Sequence, residues 1–245
     1  MSEYILEMRN ITKAFPGVKA LDNVNLTLRK GEVHCLAGQN GCGKSTIIKV
    51  ISGVYHPEKG AQILLDGKLF HHLTPQLSSH YGIQVIYQDL SLFPNFSVAE
   101  NIAVNRYLPG GDIWVRRGAM KQQALAAMKR IGVNIDPDKK VEQLSIADRQ
   151  LVAICRAIAA DARLVIMDEP TASLTRQEVN GLLKVVNELK AAGICVVFVS
   201  HRLDEVMEVA DRISVMRDGK LVGTYPASEL DSHELAFLMT GQRFH

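Results

Sequence analysis

The chain has 245 residues, 47% of them hydrophobic and 22% charged, and its 28 basic side chains against 26 acidic ones leave a formal net charge of +2. That length holds one large α/β domain or two modest ones, and the interspersed, nearly balanced charge offers no basic face for DNA or RNA, so no nucleic-acid partner is expected. No apolar run approaches the roughly 20 residues that cross a bilayer, and MSEYILEMRN lacks a basic segment leading an apolar core, so a cytoplasmic chain without a secretory signal is expected.

In chain order, YILEMRNITKAF, PGVKALDNV and the alternating NLTLRKGE read as strand pieces with a turn. Residues 32–37 thin into a short buried strand and Ser45 to Ser52 carry apolar residues at helical spacing, so the glycine-rich GQNGCGKST between them is a strand-to-helix turn. GAQILLDGKLF reads as a hairpin around Asp66-Gly67, and Ile83 to Tyr87 as a β run ending at Gln88. From there to about Ala160 the period is helical, in SVAENIAV, GAMKQQALAAMKRIG and SIADRQLVAICRAIAA. This predicts a helical subdomain, 89–160, inserted into an α/β core built from 1–88 and 161–245. The core resumes with a strand from Arg163 to Met167, a helix from Arg176 to Ala191, the strand ICVVFVS, a short helix at RLDEVMEVA and a hairpin around Asp218-Gly219. The closing LAFLMTGQRFH reads as a helix end and the start of a connection. Strands alternating with helices, with a phosphate-type loop after an early strand, predict an α/β fold with an open, mostly parallel sheet and its ligand at the strand C-terminal ends. Cys35, Cys42, Cys155 and Cys195 form no C-x-x-C pair and read as free thiols, and His71-His72 reads as part of a solvated loop.

GQNGCGKST fits G-x-x-x-x-G-K-[ST] at Gly38, Gly43, Lys44 and Ser45, the pattern of a P-loop NTPase core. Backbone N–H groups from Gly38 through Asn40, Gly41, Cys42 and Gly43 to Thr46 can wrap a phosphate chain at a helix N-terminus, with Lys44 as a point charge on the outer phosphates. The Ser45 hydroxyl is placed for Mg²⁺. The apolar strand ending in Asp168-Glu169 sets two carboxylates where a metal-nucleotide would sit, and neighbouring strand residues point in different directions. Asp168 is therefore assigned to the Mg²⁺ shell and Glu169 to activating the attacking water. His201, just beyond the next strand, is assigned a phosphate-sensing contact, and the Gln88 amide a reach to Mg²⁺ or water, with its loop touching another protein.

Taken in order, Phe15 in KAFPGVKAL, the phosphate loop, Gln88 in VIYQDLSLFPNFSVAENI, LSIADRQ, LVIMDEP and SHRLDEV resemble the nucleotide-binding domain of ABC transporters across essentially the whole chain. The resemblance implies a single ABC ATPase domain over 1–245 with an N-terminal antiparallel β region, adenine stacked on Phe15, and ATP sandwiched between this chain's phosphate loop and the signature of a second nucleotide-binding domain. DLSLFPNFSVAENI and SHRLDEV look most like the ATPases of carbohydrate importers, which implies membrane permease subunits, a periplasmic or extracellular sugar-binding protein met indirectly, and a place on the cytoplasmic face of the membrane. A soluble ABC-type ATPase outside transport is the alternative. DNA-repair members insert long coiled coils that the short span from Gln88 to Ser145 cannot hold, and the N-K-x-D motif of a GTPase is absent. Direction is expected to be import, because DKKVEQLS stands where exporters carry a TEVGE-like segment.

Two positions depart from the family pattern. Leu-Ser-Gly-Gly-Gln is replaced by Leu144-Ser145-Ile146-Ala147-Asp148, and the aspartate after DEPT by Thr175. Ser145 keeps the family's γ-phosphate contact, but side chains at Ile146 and Ala147 crowd the approach that glycine allows, and Asp148 adds negative charge. Second halves of tandem sugar ATPases commonly keep the glycine-containing signature and degrade their phosphate loop. The GQRFH ending resembles the joint between two such halves.

Overall fold

The computed structural model describes residues 3–107 and 117–242. Residues 108–116, inside the block read as helical, and the last three residues of the GQRFH ending lie outside the described residues.

Two long antiparallel strands open the chain, β1 (Tyr4–Phe15) and β2 (Val18–Arg29). The sequence divided this stretch between Val24 and Asn25, but the strand continues. Asn23 adopts a left-handed φ of 52°, its N–H donates to Thr12 Oγ1 at 3.0 Å, and the irregular register bends β2 instead of ending it. The strands β4 (Gln62–Leu65) and β5 (Lys68–Phe70) join them in a four-stranded antiparallel sheet of order β2-β1-β4-β5. Both turn residues between β4 and β5, Asp66 and Gly67, have positive φ, as a two-residue hairpin of this type demands.

The second sheet has six strands. They are β3 (Val33–Ala37), β6 (Ile83–Ile86), β7 (Leu164–Asp168), β8 (Cys195–Val199), β9 (Arg212–Arg217) and β10 (Lys220–Pro226), in the order β10-β9-β3-β8-β7-β6. From β9 to β6 every neighbouring pair is parallel, and β10 closes one edge antiparallel. Alternate residues of each central strand feed different cores. Val196 and Phe198 join the helices α5 (Ile146–Ala159) and α6 (Arg176–Ala191), whereas Cys195, Val197 and Val199 join α1 (Lys44–Ile51) and the inner face of the antiparallel sheet. The sheet is thus covered on both faces, which is why its central strands β7, up to Met167, and β8 are apolar throughout instead of alternating.

Helices α3 (Val98–Tyr107), α4 (Arg117–Arg130) and α5 pack on one another through Ile102, Ala124, Met128 and Val152, all buried. Ser97 and Glu100 form a reciprocal cap on α3, each accepting the other's backbone N–H, at 3.1 and 2.8 Å. The six-residue α2 (Pro75–His80), capped by Thr74, is too short to leave a helical period and was not anticipated. The helices α7 (Leu203–Val209) and α8 (Ser232–Thr240) complete the chain. Thr175, standing where the family pattern has aspartate, caps α6 in a box with Glu178. The exchange therefore keeps the helix start while removing a charge.

Candidate functional site

The phosphate-type loop leaves β3 and enters α1 at Lys44, whose N-cap is Gly43. The N–H groups of the first turn have no partner within the helix, and no acidic side chain occupies that turn, so the positive end of α1 is open to an anion. Lys44 is buried, and its Nζ donates to the carbonyls of Gly38 at 2.7 Å and Gln39 at 2.9 Å. These bonds centre the ammonium within its own loop. Cys42 turns inward and lies outside the cavity lining, and burial raises its thiol pKa. The other three thiols are likewise buried and free, and burial pushes Cys155 up to about 12.

A cavity of about 520 Å³ opens over this loop, lined by Asn40, Gly41, Gly43, Lys44, Ser45 and Thr46 on one side and by Gln88, Asp168 and Glu169 on the other. The parallel sheet brings these together, because β6 and β7 run in register from Ile83↔Leu164 to Ile86↔Met167. Asp168 is the last residue of β7. Burial, then the adjacent Glu169 charge, raise its carboxyl above the ordinary range, while Lys44 and Lys49 pull it down. Glu169 is not a further strand residue, as the sequence suggested. It turns with φ 50°, held by its N–H to the Val199 carbonyl at 3.0 Å, and this turn separates the two carboxylates. His201, half-exposed after β8, places Nδ1 at 3.1 Å from Glu169 Oε1 and 3.0 Å from Oε2.

Phe15 and Ser145 lie outside this cavity, as expected for Ser145, whose signature segment is read as meeting nucleotide on a second domain. Phe15 does not line the cavity but packs edge-on against Tyr55, ring centroids 5.2 Å apart, with Lys13 Nζ 5.4 Å above its ring. Ser145 caps α5, accepting from Asp148 N–H at 3.1 Å, and does not line the cavity that holds Lys44. Ile146 beside it is 53% exposed.

Sequence reasoning missed part of the cavity wall. Asp218 and Gly219, read only as a hairpin turn, line it: Gly219 N–H donates to the Cys42 carbonyl at 3.0 Å and its own carbonyl accepts from Asp22 N–H at 2.8 Å. The turn therefore ties the phosphate loop to β2. Only the Asp-Gly pair signals it in the sequence, and such pairs mark turns wherever they occur. A second cleft, about 450 Å³, lies between α5 and α6, lined largely by apolar residues with the buried Gln150. Its Asp148, Glu178, Glu188 and Lys184 ride on α5 and α6, and it includes neither the glycine-rich loop nor a strand end, so the first cavity is the stronger candidate for chemistry.

The sequence model of the ABC transporter family matches residues 21–172. The chain belongs to this family. It is 44% identical over 240 residues to the ribose import ATP-binding protein RbsA 3 of Rubrobacter xylanophilus, a match covering 98% of this chain and 48% of that protein. It is also 44% identical over 241 residues to the ribose import ATP-binding protein RbsA 1 of Burkholderia cenocepacia, covering 97% and 47%. The chain thus spans about half the length of these relatives. Its fold superposes on an ABC transporter ATP-binding cassette in the ADP conformation with a TM-score of 0.84 at 28% identity, covering 98% of this chain and 96% of that one. A nucleotide-free ABC cassette gives 0.81 at 29% identity, covering 91% of each.

Two of the three glycines of this ABC loop make different demands. Gly43 has φ 110°, and a Cβ there would lie 2.7 Å from the Ala20 carbonyl; Gly41 has φ 78° and nothing within 4 Å. Gly41→Ala should cost about 1–2 kcal/mol for the left-handed backbone alone, and Gly43→Ala clearly more, since strand β2 must also move. Equal losses in urea denaturation would show that the contact with β2 is unimportant.

Proposed function

We propose that this chain is the ATP-binding and ATP-hydrolysing subunit of an ABC importer for a sugar, working with membrane permease subunits at the cytoplasmic face of the membrane. The observation that carries this reading is the convergence of Lys44, Ser45, Gln88, Asp168 and Glu169 on one cavity, with His201 against Glu169. The relatives' names supply the sugar and the direction of transport. A sugar-binding protein outside the membrane would meet the permease and not this chain.

ATP lays its phosphates along the loop, where the N–H groups at the start of α1 and the Lys44 ammonium balance their charge. Phe15, at the end of β1, offers its ring to the adenine. The oxygen donors facing the phosphates fit Mg²⁺, which is usually held by one or two carboxylates together with phosphate oxygens. Ser45, Asp168 and Gln88 would hold it, and it would supply charge neutralisation at the transferring phosphoryl group. Glu169 takes a proton from water as the water oxygen bonds to the terminal phosphorus, and the bond to the bridging oxygen breaks with its electrons leaving on ADP. His201 orients the Glu169 carboxylate through Nδ1 and turns its other nitrogen to the terminal phosphate.

The partner surface is a groove of about 250 Å³ lined by Gln84, Ser91, Phe93, Asn105 and Arg156. Phe93 and Phe96, each 45% exposed, stack with ring centroids 5.2 Å apart, and the buried Asn101 fixes their loop by bonding to Phe93 N–H and to the carbonyls of Phe93 and Ser97. Leu92, in the same loop, is half-buried against the core. Exposed aromatic pairs rimmed by polar groups suit a helix from a permease. Arg156 donates to the carbonyls of Leu90 and Ser91, both at 2.8 Å, and both residues have positive φ. The strained segment so held runs from Gln88 to the groove, and is suited to pass movement between them.

Glu169→Gln should retain ATP affinity by calorimetry and lose hydrolysis by roughly 10²-fold or more; hydrolysis at the parental rate would remove the assigned base. Phe93→Asp should abolish co-purification with permease subunits while leaving ATP affinity intact, and normal co-purification would remove the groove from the interface.

A further inference from the structure

We propose that Glu205 is a positioning residue for hydrolysis, a buried carboxylate that locks the loop carrying Glu169 to the loop carrying His201; this rests on the hydrolytic reading above. Glu169 and His201 follow different strands, β7 and β8. Sheet pairing holds them together only as far as Asp168↔Val199 and the bond from Glu169 N–H to the Val199 carbonyl. Beyond that point the backbones part, and something else must fix their separation.

Glu205, in the first turn of α7, has no solvent exposure. Its Oε2 accepts from the Thr171 hydroxyl at 2.5 Å and from the Ser200 hydroxyl at 3.2 Å, while the buried Oε1 accepts no hydrogen bond and is balanced by the Arg202 guanidinium as an ion pair, Nη1 2.9 Å away. Thr171 lies two residues after Glu169, and Ser200 and Arg202 flank His201 on either side. The Ser200 hydroxyl also accepts the Arg202 N–H at 3.1 Å, so the bond to Glu205 sets the direction of a hydroxyl that bridges across His201. Thr171 and Ser200 are themselves buried.

A carboxylate withdrawn from water is costly unless donors surround it. Here all the donors come from the two catalytic loops. The carboxylate is therefore stable only when both loops are in place, and it resists their separation. The distance between His201 Nδ1 and Glu169, 3.1 Å, is what this arrangement protects. Hydrogen-bond geometry of that kind governs the chemical step more than nucleotide affinity, because the phosphate loop binds ATP from the opposite wall.

The test compares the parent with Glu205→Gln, Thr171→Val and the double variant, each at the full length of this chain. Two quantities are read: the single-turnover rate on γ-labelled MgATP with protein in excess, and the calorimetric MgATP dissociation constant. Glu169→Gln is the control. The Gln amide oxygen can still accept from Thr171 and Ser200, but the charge that strengthens those bonds and the pairing with Arg202 are lost, which predicts a rate roughly 10–100-fold lower in Glu205→Gln, with affinity within about twofold of the parent. Thr171→Val should slow the rate in the same way, and the double variant should be less impaired than the product of the two losses, since both act through one carboxylate. If Glu205→Gln fails to fold, Thr171→Val, nearly the same shape, carries the test. A parental rate in Glu205→Gln while Glu169→Gln is inactive would overturn the inference alone. Rate and affinity falling in equal proportion, or losses that multiply in the double variant, would also overturn it. A parental rate in Glu169→Gln would instead bring down the hydrolytic reading and this inference together.

Discussion

The arrangement of the site follows from the parallel pairing of β3, β8 and β7. Each strand is only five residues long and apolar but for the buried His34 in β3 and the terminal Asp168 of β7, and is buried on both faces except where Asp168 meets the cavity. Such strands cannot choose a face by alternation, so their register is set by packing into two cores at once, Phe198 toward α6 and Val197 toward α1. Once that register is fixed, the chain must leave every strand at the same edge. The phosphate loop after β3, the Asp168-Glu169 turn after β7 and the His201 loop after β8 are thereby delivered to one edge of the sheet. The tie of Glu169 N–H to the Val199 carbonyl extends this alignment one residue past the sheet.

The same construction leaves the signature segment outside. Ser145 starts α5, whose apolar side packs in the core with α6 and whose first turn carries Ile146, Ala147 and Asp148. Asp148 favours its own helix, as a negative charge does near a helix N-terminus. A phosphate brought to that terminus would meet the same charge as a repulsion. One residue thus stabilises its own helix and disfavours an anion at the same place, where the family pattern has an uncharged glutamine. The chain combines a well-formed phosphate loop with a first turn that disfavours phosphate.

Much of this was legible in the sequence where chemistry and period coincide. Lys44 and Ser45 are announced by a loop pattern whose glycines have a mechanical reason, and α6 begins and ends at Arg176 and Ala191 as its apolar spacing predicts. What the sequence concealed depends on distant segments meeting. The stretch 18–29 read as two pieces parted after Val24, but a bond from the Asn23 backbone to Thr12 makes the irregularity a bend within one strand. Asp218-Gly219 reached the cavity only because β9 lies beside β3. Glu205 looked like one more charge on a short amphipathic helix; its burial arises from Thr171 and Ser200, which the sheet delivers to it.

The central claim is that this chain supplies a competent phosphate half and a deficient signature half. The most direct measurement is phosphate release against protein concentration, for the chain alone and for a variant with Ile146→Gly, Ala147→Gly and Asp148→Gln. Each missing donor to a terminal phosphate costs roughly 10²-fold in rate. The account predicts slow, weakly concentration-dependent release by the parent and a steep, concentration-dependent rise in the variant as two copies complete each other's sites. Fast release by the unaltered chain that grows with its own concentration would contradict it.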